Sequence, residues 1–153
     1  MSENIELITQ TAQELLEKLQ IVGIVNTQED ADGLYLVTID TEEQGILIGF
    51  HGKNLESFQL MLGQLVYKKL EVWVRLSVSV GDYRERRAKQ LQELAESAAQ
   101  RVLAAGEPVA LTDLSPSERR IVHLALEGHD QVLSQSEGEG RQRRLVVKLR
   151  PQP

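Results

Sequence analysis

The spacing of apolar residues changes abruptly at Gly81-Asp82, and that change constrains the fold more than any other feature of the chain. Upstream, EVWVRLSVSV alternates residue by residue, which places Val72, Val74, Leu76, Val78 and Val80 on one face of a strand and Trp73, Arg75, Ser77 and Ser79 on the other. Downstream, in YRERRAKQLQELAESAAQRVLAAG, the residues Leu91, Leu94, Ala95, Ala98, Val102 and Ala105 recur at helical spacing, and Gly106 with Pro108 ends the helix. A switch from the strand period to the helix period at a glycine marks a module boundary, so two modules are expected, over residues 1–81 and 82–153.

Each module mixes helices and strands. In the first, Ile5, Ile8, Ala12, Leu15, Leu16 and Leu19 predict an amphipathic helix over residues 3–20. The runs IVGIV and LYLVTI, separated by the turn-rich TQEDADG, predict an antiparallel hairpin. A short segment, TEEQGILI, leads into GFHG, and the periodic stretch behind it predicts a helix from about 53 to 69. In the second module a short strand at PVAL precedes a helix in SPSERRIVHLALEG, and strands are expected at QVLSQS and RRLVVKL around the turn EGEG. The fold class is therefore α/β in the α+β sense.

Composition excludes several kinds of chemistry. With 41% hydrophobic and 26% charged residues, 153 residues suffice for a soluble globular chain with a buried core. There is no cysteine, so disulfides, thiolate metal sites and thiol nucleophiles are absent; histidines at 51, 123 and 129 only make a histidine-rich metal centre improbable. No cofactor or metal is expected. The N-terminus lacks a basic n-region, and no apolar run approaches the roughly 18 residues that span a bilayer, which disfavours secretion and membrane insertion. The net charge of −6 argues against a polyanionic partner, but the charge is uneven. Residues 1–81 hold 5 Lys/Arg against 12 Asp/Glu, whereas residues 82–153 hold 12 against 11. The arginines of the second module cluster as Arg84, Arg86 and Arg87, then Arg119 and Arg120, then Arg141, Arg143 and Arg144; local potential, more than net charge, attracts a polyanion.

Two stretches are candidates for binding. The helix in SPSERRIVHLALEG has an explicit start: Ser115 is the N-cap, Pro116 takes the first helical position and Glu118 completes a capping box, so the helix runs from Pro116 to near Gly128. Ile121, Val122, Leu124, Ala125 and Leu126 form its apolar arc, and Arg119, Arg120, His123 and Glu127 fall between about 160° and 260° from Ile121. That arc is either a solvated face with a His123–Glu127 pair or, with the neighbouring arginine clusters, a phosphate-facing surface. The second candidate is Ile48-Gly49-Phe50-His51-Gly52. Its glycines allow close backbone approach to a ligand, and the helix beginning behind it offers N–H groups to phosphate; an ordinary interhelical turn is the alternative.

Taken together, helix, hairpin, short helix, IGFHG, long helix and VWVRLSVSVGDYRERR resemble a type II KH domain, and LTDLSPSERRIVHLALEGHDQVLSQSEGEGRQRRLVVKLRP resembles the domain named R-three-H for its Arg-x-x-x-His motif. The pairing, in this order, resembles the bacterial Jag family of SpoIIIJ-associated proteins, on the strength of GDYRERR, ERRIVHLAL and SEGEGRQRRLVV. The resemblance implies a cytoplasmic, non-enzymatic factor that binds single-stranded RNA or DNA and influences cell elongation or division. It makes Gly49 and Gly52 the frame of the KH loop, with Phe50 and His51 as its variable pair, and Arg119 and His123 the motif pair; Lys53 and, from the charge clusters, Arg84, Arg87, Arg120, Arg141, Arg143 and Arg144 are expected as further nucleic-acid contacts. Jag proteins usually begin with a further N-terminal domain that has no counterpart in this sequence, and their KH loop often carries a basic residue where this one has Phe50 and His51. Two functional expectations follow. In one, both modules hold a single strand, its bases lying on apolar surface such as Ile46 and Ile48. In the other, the KH half is a protein-interaction module, forming a homodimer or pairing with a small single-KH protein, and only the C-terminal half touches nucleic acid. Trp73 on the polar strand face favours the second, unless it packs beneath the neighbouring domain.

Overall fold

The computed structural model describes residues 2–152. Its elements are α1 (Ser2–Lys18), β1 (Gly23–Glu29), β2 (Leu34–Thr41), α2 (Gln44–Ile48), α3 (Lys53–Leu70), β3 (Arg75–Val80), α4 (Tyr83–Ala105), β4 (Val109–Leu111), α5 (Pro116–Leu126), β5 (Val132–Glu137) and β6 (Arg144–Leu149). Single 3-10 turns lie at Phe50–Gly52 and Gly140–Gln142. The class is the mixed α/β one expected. The chain forms two compact units, one ending at Arg84 and the other beginning at Glu85, so the division falls in the first turn of α4 and leaves Arg84 with the first unit. Among the described residues no helix is long and apolar enough to cross a membrane.

In the first unit the sheet order is β1-β2-β3, with β1 antiparallel and β3 parallel to β2. The parallel pairing requires a crossover, supplied by α2 and α3. Tyr35, Val37 and Ile39 alternate along β2 and are buried, as are Val78 and Val80 of β3. They meet Ile8, Ala12, Leu15 and Leu16 of α1 and Leu55, Phe58, Leu62 and Val66 of α3 in one core. The sheet thus buries one face under two helices whose apolar stripes recur at three- and four-residue spacing.

The second unit has an antiparallel sheet of order β4-β6-β5. Leu91, Ala95, Ala98, Ala99 and Val102 of α4 and Val122 and Leu126 of α5 pack with Leu111, Val132, Leu145 and Val147 of the sheet. Alanines on the buried side of α4 let neighbouring elements approach closely.

Three expectations change. β1 extends through the supposed turn residues to Glu29, because Gln28 and Glu29 pair with Leu36 and Tyr35. The turn shrinks to four residues closed by Asp30, whose Oδ1 accepts the N–H groups of Asp32 and Leu34, both at 2.9 Å. β3 begins at Arg75 and not near Val72, because α3 runs to Leu70 and closes on Glu71 in the left-handed conformation (φ 59°). Val72 and Trp73 therefore belong to the connection. Trp73 is 66% exposed and stacks on Tyr67 of α3, ring centroids 4.2 Å apart.

Candidate nucleic-acid interface

The second unit builds its candidate site from the start of α5. The Ser115 side chain accepts the Glu118 N–H at 3.2 Å, and Glu118 Oε2 accepts the Ser115 N–H at 3.1 Å, completing the expected capping box. Glu118 Oε1 also receives Arg87 Nε at 2.9 Å, in a pair almost withdrawn from water. Carboxylate and guanidinium together fix where α5 begins. One residue on, Arg119 donates from Nη1 to the Leu114 carbonyl at 2.7 Å, which braces the guanidinium against the loop before the helix. Arg120 is exposed.

His123 lies one turn along, with Nδ1 2.7 Å from Ser134 Oγ on β5. The His123–Glu127 pair of the solvated-face alternative gives way to this contact across the unit, and the bond holds the ring with Nε2 left for a ligand. Between α5 and β5 runs an open groove of about 690 Å³. α5 lines it with Arg119, Arg120, His123 and Leu124, β5 with Ser134, Gln135 and Ser136, and the segment before β6 with Arg143. Three guanidinium groups border this groove and, among the described residues, no carboxylate does. Such a fork-rich surface suits phosphate oxygens, which accept paired N–H bonds. Leu124, assigned by its helical angle to the core, is 53% exposed and supplies apolar groove wall. The apolar arc of α5 is wider than the surface available to cover it.

Not every arginine expected at the site reaches it. Arg87 is committed to Glu118. Arg84 folds onto the first unit, where Nε donates to the Val78 carbonyl at 2.6 Å and Nη2 to Gln59 Oε1 at 2.8 Å; Gln59 Oε1 also accepts the Val78 N–H at 2.9 Å. Arg84 and Gln59 thereby close the outer edge of β3, a structural task in place of the ligand contact expected. Burial lowers the Arg84 pKa, with Glu56 and Tyr83 opposing that shift. Arg141 and Arg144 are exposed but lie outside the groove lining. Spacing could not separate these cases, because the partner of each arginine comes from a distant part of the chain. Ser134 and Ser136 escaped notice as well, although the alternation of QVLSQS puts both on the face of buried Val132.

The glycine loop of the first unit has a different character. Gly49 adopts φ 70° and ψ −171°, a region open essentially to glycine alone, and a Cβ there would lie 2.5 Å from Asn54 Cγ. Asn54 cannot easily withdraw, since its Nδ2 donates to the Ile46 carbonyl at 2.9 Å. Gly49→Ala should therefore cost the first unit about 2 kcal/mol, read from the shift of its urea unfolding midpoint at constant slope; a loss below about 0.5 kcal/mol would mean that the loop relaxes freely. Between the glycines, His51 is held left-handed (φ 52°) and its ring stacks on Phe50 at 3.8 Å. Phe50 is 64% exposed, and Lys53 Nζ sits 5.5 Å from its ring centroid. Among the described residues no side chain caps the N-terminus of α3. Ile46 is exposed as expected, but Ile48 is buried at 8% and joins the core, so it offers no surface to a base. A nearby groove of about 280 Å³, lined by residues such as Leu19, Ile46, Phe58 and Met61, contains no arginine or lysine among the described residues.

Residues 89–149 match the R-three-H domain. The second unit is similar to that domain over most of its length. Arg119 and His123, which stand at Arg-x-x-x-His spacing within the matched stretch, lie on the α5 face that borders the groove. Over a longer stretch the chain is homologous to Jag-family proteins named RNA-binding protein KhpB. It is 34% identical to that of Clostridium symbiosum over 114 residues, 74% of this chain and 51% of the relative. To that of Streptococcus pneumoniae D39 it is 39% identical over 109 residues, 71% of this chain and 33% of the relative. To that of Bacillus subtilis 168 it is 30% identical over 111 residues, 71% and 53%. The chain thus spans between a third and about half of the curated relatives it matches.

Proposed function

We propose that this chain, with its R-three-H domain, is a non-enzymatic protein that binds single-stranded RNA through the groove between α5 and β5. The observation that carries the reading is the convergence of Arg119, Arg120 and Arg143 on one groove without a carboxylate among its described lining residues. His123 adds a donor or a stacking ring, and Leu124 an apolar contact for sugar or base. The relatives' name, RNA-binding protein, supports RNA over DNA. Action in the cytoplasm accords with that partner.

For the first unit we infer a type II KH domain. The order α1-β1-β2-α2-α3-β3, the parallel β2–β3 pairing and a Gly49-x-x-Gly52 loop ahead of α3 support it. Two roles compete for this unit. The uncapped start of α3 favours RNA, whereas the apolar groove beside the loop favours a protein partner, a second copy or a small KH protein. The double variant Phe50→Asp, His51→Asp separates them, because carboxylates at the α3 N-terminus repel phosphate without entering the core. Measured by fluorescence anisotropy on a 20-nucleotide single strand, affinity should fall about tenfold if this loop touches RNA. Unchanged affinity in a folded variant assigns RNA binding to the R-three-H unit alone.

A further inference from the structure

β5 is the outer strand of its sheet, so among the described residues one of its edges has no strand beside it. The ladder identifies the groups on that edge. Arg150 N–H donates to the Gln131 carbonyl at 2.9 Å, which makes Gln131 and Arg150 a hydrogen-bonded pair. The register from Val132↔Leu149 to Glu137↔Arg144 is unbroken. Antiparallel pairs alternate, so Leu133, Gln135 and Glu137 bond to β6, while the N–H and C=O groups of Val132, Ser134 and Ser136 turn to the open edge. At the start of the strand His129 Nδ1 accepts the N–H groups of both Gln131 (3.1 Å) and Val132 (3.2 Å), so the open edge proper begins at Ser134.

The groove runs along this edge. It is lined by the consecutive residues Ser134, Gln135 and Ser136, whose side chains point alternately to opposite faces, so only the strand's edge can present all three to one groove. Exposed edges are usually blunted by lysine, proline or a bulge, and that of β3 is closed by Gln59 and Arg84. Ser134–Ser136 carries none of these devices. The groups that face it are Arg119, Arg120, His123 and Arg143.

We propose that this edge hydrogen-bonds unpaired bases: the main-chain N–H and C=O groups of Ser134 and Ser136 meet the donor and acceptor edges of one or two nucleobases while the guanidinium groups hold the flanking phosphates. The inference rests on the reading of the groove as a nucleic-acid site and adds what that site reads. A duplex cannot satisfy it, because its bases have already spent those edges on each other. An extended peptide could also pair with an open strand, but three cations along the groove favour a polyanion.

The test compares two 12-nucleotide RNA strands of equal charge, one bearing bases and one abasic throughout, by anisotropy at fixed salt. The parent should bind the base-bearing strand at least about tenfold more tightly. Ser136→Pro deletes one edge N–H and spares the β6 ladder, as proline is tolerated where the N–H faces outward. It should lose about five- to tenfold on the base-bearing strand only, and Ser136→Ala, which keeps the main-chain N–H, should lose clearly less. Protection of the Gln135 amide against hydrogen exchange certifies that the sheet is intact. Equal binding of both strands by the parent would mean that phosphate alone is recognised and would overturn the proposal, whatever the variant does. A folded Ser136→Pro protein that binds bases as the parent does would overturn it too. So would capture of an extended peptide that Ser136→Pro abolishes while RNA binding survives. Failure of the parent to bind either strand at low salt removes the groove reading itself, and the edge proposal with it.

Discussion

Glu118→Ala should lower the unfolding free energy of the R-three-H unit by about 3–5 kcal/mol, a large part of what holds a domain of this size together. The side chain serves two partners, accepting Arg87 Nε on one oxygen and the Ser115 N–H on the other. Removing it leaves the Arg87 guanidinium, only 15% exposed, without its counter-charge, and opens half of the capping box. An unpaired buried charge dominates that cost; loss of the cap adds about 1 kcal/mol. Glu118→Gln keeps an acceptor for the cap and should fall between. Replacing both members of the pair by leucine or methionine should recover most of the loss, since apolar residues of similar volume do not need the desolvation repaid. Urea unfolding followed by a probe of the second unit measures all of these. A loss below about 1 kcal/mol for Glu118→Ala would mean that water reaches the pair and screens it.

That pair also marks where sequence stops being informative. The capping box was legible because its parts lie within four residues, Ser115 to Glu118, and a local hydrogen-bond pattern needs no tertiary knowledge. The joint placement of Arg119 and His123 on one face followed equally from the helical repeat. Arg87 and Glu118 lie 31 residues apart, and a sequence offers no means of pairing them until α4 and α5 have been packed. Arg84 reads as one more positive charge in a cluster, yet its nearest acceptors are a β3 carbonyl and an α3 glutamine. Leu124 was misassigned for a related reason: helical angle says which residues share a side, and only the neighbours decide how much of that side is covered. The second wall of the groove depends on sheet order, which places β5 outside β6 and so leaves Ser134 and Ser136 opposite α5.

Replacing Arg119, Arg120 and Arg143 together by alanine should produce the largest change in binding. Each guanidinium that neutralises a phosphate releases condensed counterions, and for single strands each contact contributes about 0.7 to the slope of log affinity against log salt. Losing three should flatten the slope by about 2 and weaken binding at low salt by about two to three orders of magnitude. Folding should be nearly untouched. Arg120 and Arg143 are exposed; Arg119 gives up the bond to the Leu114 carbonyl, a net stabilisation of about 1 kcal/mol, and Arg143 only a long, exposed one to the Gly138 carbonyl at 3.4 Å. The comparison that matters is Arg141→Ala with Arg144→Ala, which removes charge from the same segment of chain but outside the groove lining. If the groove is the phosphate path, this pair acts only through the general field, and its slope should stay within about half a contact of the parent's. Equal effects per charge from the two sets would mean that RNA senses the unit's overall positive potential, and that the Arg-x-x-x-His face of α5 has no privileged place in binding.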